Sequence, residues 1–97
     1  MQSEQIIRRN DRAVFRELAD NEGGVLLHLD SGAYHGLNAV GTLIWDLIGD
    51  GSSLGTLVDA VRARLTDPPD ALEADITAFI EDLVERDLLK LSEASGR

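Results

Sequence analysis

Ninety-seven residues, 43% of them hydrophobic and none cysteine, make one small domain with enough apolar mass for a core. That length leaves little room for a deep enclosed active site, and the lack of cysteine excludes a disulfide, a thiol nucleophile and a zinc–thiolate cluster. A formal net charge of −9 opposes nucleic-acid binding, which needs a basic face, and with no membrane-length apolar run and no signal-peptide pattern a soluble cytoplasmic protein is expected.

Residues 1–11 are polar apart from Ile6 and Ile7 and read as a flexible N-terminal arm. From Arg12 onward, Val14, Arg16 and Leu18 alternate with Ala13, Phe15 and Glu17, the period of a half-buried strand. DNEGG (20–24) is a turn signal, VLLHLD (25–30) a second strand, DSG (30–32) a tight turn and AYHGL (33–37) a third strand. Short connections in series predict an antiparallel meander, with Gly36 placed for a bulge. The third strand carries no Lys, Arg or Pro and reads as an edge left open, where most edges are blunted.

Asn38 is a good N-cap, and Val40, Leu43, Ile44, Leu47 and Ile48 follow at the spacing of one helix face. GDG (49–51) stops that helix. Ser53 caps a second, with Leu54, Leu57, Val58, Val61 and Leu65 as its apolar set. TDPPD (66–70) breaks the chain, and Asp70 with Glu73 resembles a capping box for a third helix that ends near Asp87. At about 100° per residue, Leu72, Ile76 and Leu83 form its buried stripe, with Phe79 and Ile80 on opposite shoulders. Asp75 and Asp82 lie beyond Phe79. LLKL (88–91) returns toward the core, and 92–97 reads as a disordered tail. The expected fold is α+β and winged-helix-like: a three-stranded antiparallel sheet followed by three α-helices, over 12–91.

No constellation for chemistry emerges. His28 and His35 with Asp30 lack a third metal-ligand motif. Asp75, Asp82 and Glu85 read as a solvated helix face rather than an acid/base set. Ser31, Ser52 and Ser53 sit at turns and caps, and GDGSSLG lacks the lysine of a phosphate loop. Trp45 and Phe15 read as core. Arg8, Arg9, Arg12 and Arg16 form a basic cluster that reads as a solvated arm, or else as a dock for an acidic partner surface. No catalytic residue, metal or cofactor is assigned.

The stretch YHGLN followed by VGTLIWDL carries a resemblance to the PqqD-like family, extending over 12–91. The resemblance implies a peptide-recognition domain for ribosomally made, post-translationally modified peptides. It implies that the leader segment of a precursor peptide adds as a strand beside the third strand and lies against the third helix. Those elements correspond here to Ala33, Tyr34, His35, Gly36 and Leu37, and to the helix from Leu72 to Arg86. The stripe geometry adds Asp75, Ile76, Phe79, Asp82 and Leu83 as the helix-side contacts, an apolar floor with an acidic rim. Ala39-Val40-Gly41 and Trp45 look more like the free-standing leader-binding proteins of lasso-peptide pathways. That branch implies a leader peptidase and an ATP-dependent macrolactam synthetase as partners. A turn glycine often precedes the final Leu-Leu in such sequences, where this chain has Asp87. The alternatives are a winged-helix DNA-binding regulator and a PqqD-like adaptor for a radical-SAM peptide-modifying enzyme. The acidic third helix argues against the regulator.

Overall fold

The computed structural model describes residues 5–18 and 23–92. In chain order these form β1 (Ile6–Arg9), β2 (Ala13–Glu17), β3 (Gly24–His28), β4 (Tyr34–Leu37), α1 (Ala39–Ile48), β5 (Ser52–Ser53), α2 (Leu54–Arg64), α3 (Leu72–Glu85) and β6 (Leu89–Ser92). The expected meander is present as the antiparallel sheet β2–β3–β4, and so are the three helices. The winged-helix-like order of strands then helices omits a second antiparallel sheet, β5–β1–β6. There Ile6 pairs with both Ser53 and Ser92, and Ile7 with both Ser52 and Leu91.

Ile6–Arg9, expected within a flexible arm, is therefore the central strand of that sheet, and Ile7 is fully buried. Four residues, two of them arginine, give no alternation to read; the strand is specified by partners far away in the chain. Residues 1–4 and 93–97 lie outside the described residues, while Ser92, expected in the tail, ends β6.

Of the four arginines expected as a basic cluster, Arg8, Arg12 and Arg16 are exposed and Arg9 is half-buried. The last turn of α1 has no basic residue of its own, and its terminal carbonyls need donors. Arg9 supplies them, giving a hydrogen bond of 2.7 Å to the Trp45 carbonyl, with its guanidinium 5.1 Å from the Trp45 ring centre. Arg8 donates to the Asp50 carbonyl at 3.0 Å, and Arg12 pairs with Asp30 at 2.9 Å.

The core is one cluster of Ile7, Leu26, Leu37, the inward faces of the helices, and Leu88 and Leu89. On α1 the buried stripe is Gly41, Ile44, Trp45 and Ile48, one position round from the expected Val40-led set; Val40 is exposed. Trp45 is core as expected, and Phe15 packs against it half-buried. Asn38 Oδ1 accepts from the Gly41 amide at 2.8 Å, and Ser53 Oγ from the Thr56 amide at 3.3 Å, so both expected caps form. The Asp70–Glu73 capping box does not. The N-cap position of α3 is Ala71, without a side-chain cap, and the Pro69 carbonyl accepts from the Leu72 amide at 3.1 Å instead. The last turn of α3 closes with Asp87 at φ 64°, a left-handed position that costs a non-glycine residue roughly 1 kcal/mol.

Candidate functional site

The open edge can be specified atom by atom. The His28 amide donates to the Ala33 carbonyl at 2.9 Å, which makes His28 and Ala33 a hydrogen-bonded pair. Such pairs alternate in an antiparallel ladder, so His35 and Leu37 also bond β3, while the amides and carbonyls of Tyr34 and Gly36 point away from it. Among the described residues β4 has a strand neighbour on one side only. The register runs unbroken from Tyr34 to Leu37, so Gly36 is not a bulge. A Cβ built on Gly36 would meet nothing within 4 Å, leaving room for another backbone to approach.

Side chains divide by the pleat. Leu37 is buried and His35 half-buried, facing α3, whereas Tyr34 is 74% exposed on the outer face. His35 Nε2 lies 3.9 Å from Asp82 Oδ2, and Arg86 Nε donates to both Asp82 oxygens at 3.1 and 3.2 Å. Asp82, expected as a free acidic rim, is thus already paired.

Phe79 is half-buried beside the first turn of α1. Its ring would stand 3.2 Å from a Cβ on Gly41, so the glycine lets the two helices close up. A groove of about 300 Å³ opens there, lined by Val40, Ile44, Leu65, Asp75, Ile76 and Phe79 among others. The structure brings Asp75, Ile76 and Phe79 together at this groove. Leu83, expected as part of the floor, is fully buried and supports the wall from behind. Sequence reasoning missed Val40 and Leu65. The α1 stripe, read one position out, placed Val40 on the buried face, while the α2 stripe was read correctly and Leu65, at its C-cap, is only half-buried.

A second dent of about 170 Å³ lies at the other end of β4, between Ala33, Tyr34, His35 and Arg86, with His28 at its back. His28 is nearly buried. Its Nδ1 receives the Asp30 and Ser31 amides at 3.2 and 3.4 Å, so the ring hydrogen sits on Nε2 and is donated to Asp87 Oδ2 at 2.8 Å. That bond holds the Asp87 carboxyl below the usual carboxylate range.

A larger hollow of about 460 Å³ lies on the β2 side, between Phe15, Glu17, Thr42 and Trp45. Its main polar group, Arg9, is already engaged by α1, which makes it the weaker candidate despite its size. Among the described residues, no group of three or more His, Cys, Asp or Glu is placed to hold a metal ion, and His28 and His35 contact different aspartates. No helix of the described residues is long and apolar enough to cross a membrane.

A comparison with family models matches residues 23–89 to coenzyme PQQ synthesis protein D (PqqD). The chain belongs to the PqqD family. The matched span contains β3, β4 and all three helices, hence the open β4 edge of this PqqD domain and the α3 face beside it, the two walls of a shallow cleft that ends in the dent at Arg86. Among solved structures it is similar to TbiB1, determined in complex with the TbiA(beta) leader peptide. The two share 34% sequence identity over 86% of this chain and 94% of that one, with a TM-score of 0.74. No curated protein matches.

Proposed function

We propose that this PqqD-family chain is a non-catalytic adaptor that binds the leader segment of a ribosomally made precursor peptide by strand addition to β4. The observation that carries the reading is the pair of outward-facing backbones, Tyr34 and Gly36, beside a helix wall with an apolar groove. Main-chain hydrogen bonds supply generic attraction in this recognition mode, and side-chain pockets supply selection. An aliphatic or aromatic leader residue fits against Phe79 and Val40, and a neighbouring Lys or Arg would meet Asp75. Ordering a flexible leader offsets part of the gain, so micromolar to high-nanomolar affinity, about −8 to −9.5 kcal/mol, is expected.

The likeness to TbiB1, a protein solved with a leader peptide, supports leader binding, and the resemblance of Ala39-Val40-Gly41 and Trp45 to lasso-pathway leader-binding proteins points to a leader peptidase and a macrolactam synthetase as the enzymes served. A bound leader raises the effective concentration of the core peptide at such an enzyme. The outer face of β2–β3–β4 suits contact with a protein. Val14, Leu27 and Tyr34 stand side by side across it, flanked by Leu18 and Leu29, and all but Leu27 are exposed.

The test is chemical-shift mapping of labelled protein with the leader of a short precursor reading frame neighbouring its gene. Perturbation should centre on residues 33–37, Val40, Asp75 and Phe79. Shifts confined to β2 or α2, with 33–37 silent, would overturn the docking model. Incubated alone with the whole precursor, the protein should leave the peptide mass unchanged.

A further inference from the structure

Two histidines reach from one wall of the cleft to the other: His35 stands 3.9 Å from Asp82, and the buried His28 makes the shorter contact, 2.8 Å to Asp87. The turn at 29–32 delivers the chain into β4, and its hydrogen bonds converge on His28. The Gly32 amide donates to the His28 carbonyl at 2.8 Å, and the Asp30 and Ser31 amides point at Nδ1. The other ring nitrogen donates to Asp87, the residue that closes α3. Asp87 is itself fixed by the core. Its carbonyl accepts from Asn10 Nδ2 at 2.6 Å, Asn10 is buried, and the Leu88 amide that follows returns to the Leu83 carbonyl at 2.9 Å.

Asp87 occupies a left-handed position that glycine would hold without strain, and no part of the local backbone requires an aspartate there. Its carboxylate is aimed first at the His28 ring, with weaker attraction from Lys90 and Asn10. We propose that His28 is a positioning residue for the docking strand: its imidazole, gripped by Asp87, ties the end of α3 to the turn that starts β4 and so fixes the width of the cleft between them. A peptide pairing with Tyr34 and Gly36 while resting on α3 needs both walls at one separation. Holding them there in the free protein removes an ordering cost from binding. The inference rests on the strand-addition reading above.

The test is Asp87→Gly in the full chain, because this substitution relieves the backbone while removing the carboxylate that grips the ring. Its melting temperature should stay near that of wild type, the relieved strain offsetting the lost bond. Amide exchange in the free protein should quicken at Asp30, Ser31 and His35 and stay unchanged at Val58 and Val61 in α2. Affinity for the TbiA(beta) leader peptide should fall about three- to tenfold, the net worth of one ordinary hydrogen bond. Asp87→Asn, which tolerates the left-handed backbone and keeps an acceptor for Nε2, should restore both exchange and affinity. His28→Gln, which can reach Asp87 but not the turn amides, should repeat the faster exchange at Asp30 and Ser31. Wild-type exchange at the turn in Asp87→Gly would overturn the tie, as would faster exchange spread through α2. Faster turn exchange with unchanged affinity would overturn its role in docking. If the peptide binds neither wild type nor variant, the fault lies with that peptide as a ligand, and the exchange data alone decide the tie.

Discussion

β2 and β4 are the two edges of one sheet, and they have opposite characters. Behind β2, Arg9 from β1 of the other sheet bonds α1 and covers Trp45, so the hollow on that side is already occupied by the chain's own cation. Beside β4, Tyr34 and Gly36 face outward next to a groove lined by Asp75, and farther along α3 Asp82 is paired with Arg86 and His35. β2 also carries Arg16 and Glu17, charges that discourage strand addition, whereas β4 carries neither Lys nor Arg. The contrast teaches that an edge becomes a docking site through what flanks it. Both strands have free backbone groups, and only one has a wall suited to a second chain.

The comparison can be broken hardest at Trp45. Trp45→Ala should cost about 3–5 kcal/mol of stability, read from a denaturant titration, because it empties a buried position behind β2. Leader affinity per folded molecule should stay near wild type; an unchanged melting curve would show that Trp45 carries no packing load. Next in size is a matched pair of prolines. The Gly36 amide points away from β3, so Gly36→Pro should leave the sheet intact and reduce leader affinity about tenfold or more in calorimetry. By the same ladder parity the Glu17 amide also points outward, and Glu17→Pro should leave affinity alone. Equal losses from both would end the distinction between the edges.

Phe79→Ala should weaken leader binding by more than about 1 kcal/mol if the groove anchors a side chain. Asp82→Ala should matter less, and chiefly at low salt, because Arg86 and His35 already screen that carboxylate. The smallest effect concerns acid. Asp87 has its folded pKa lowered by His28, so its contribution is complete above the ordinary carboxyl range and is lost as pH falls through the lowered value. In acid melts, the difference between wild type and Asp87→Asn should shrink over that range and stay constant above it.

Much of the β4 side was legible in the sequence because its signals are local. Asn38, the turn at 30–32, the alternation through β2 and the apolar run of β3 each lie within a few residues of what they specify. The second sheet was not legible. Ile6–Arg9 becomes a strand only through Ser52–Ser53 and Leu89–Ser92, partners its own four residues do not announce. The groove was half legible. Asp75 and Phe79 followed from the pitch of α3, while Val40 was lost because Gly41, which has no side chain to mark a buried face, leads the buried stripe of α1. Asp87 stood out as a departure from a glycine, but its partner His28 is 59 residues away.

The pairing of Ile6 with Ser92 has a kinetic consequence. Closing that ladder joins nearly the first and last described residues, a loop of almost the whole chain, and such distant contacts are entropically the last to become favourable. During synthesis, helices and meander can form as they emerge. β1 can pair with Ser52–Ser53 earlier, but its longer ladder, to Leu89–Ser92, forms only after those residues clear the ribosome. A chain truncated just short of Leu89 should be sensitive to protease at its N-terminal strand, and one that includes Leu89–Ser92 should be resistant.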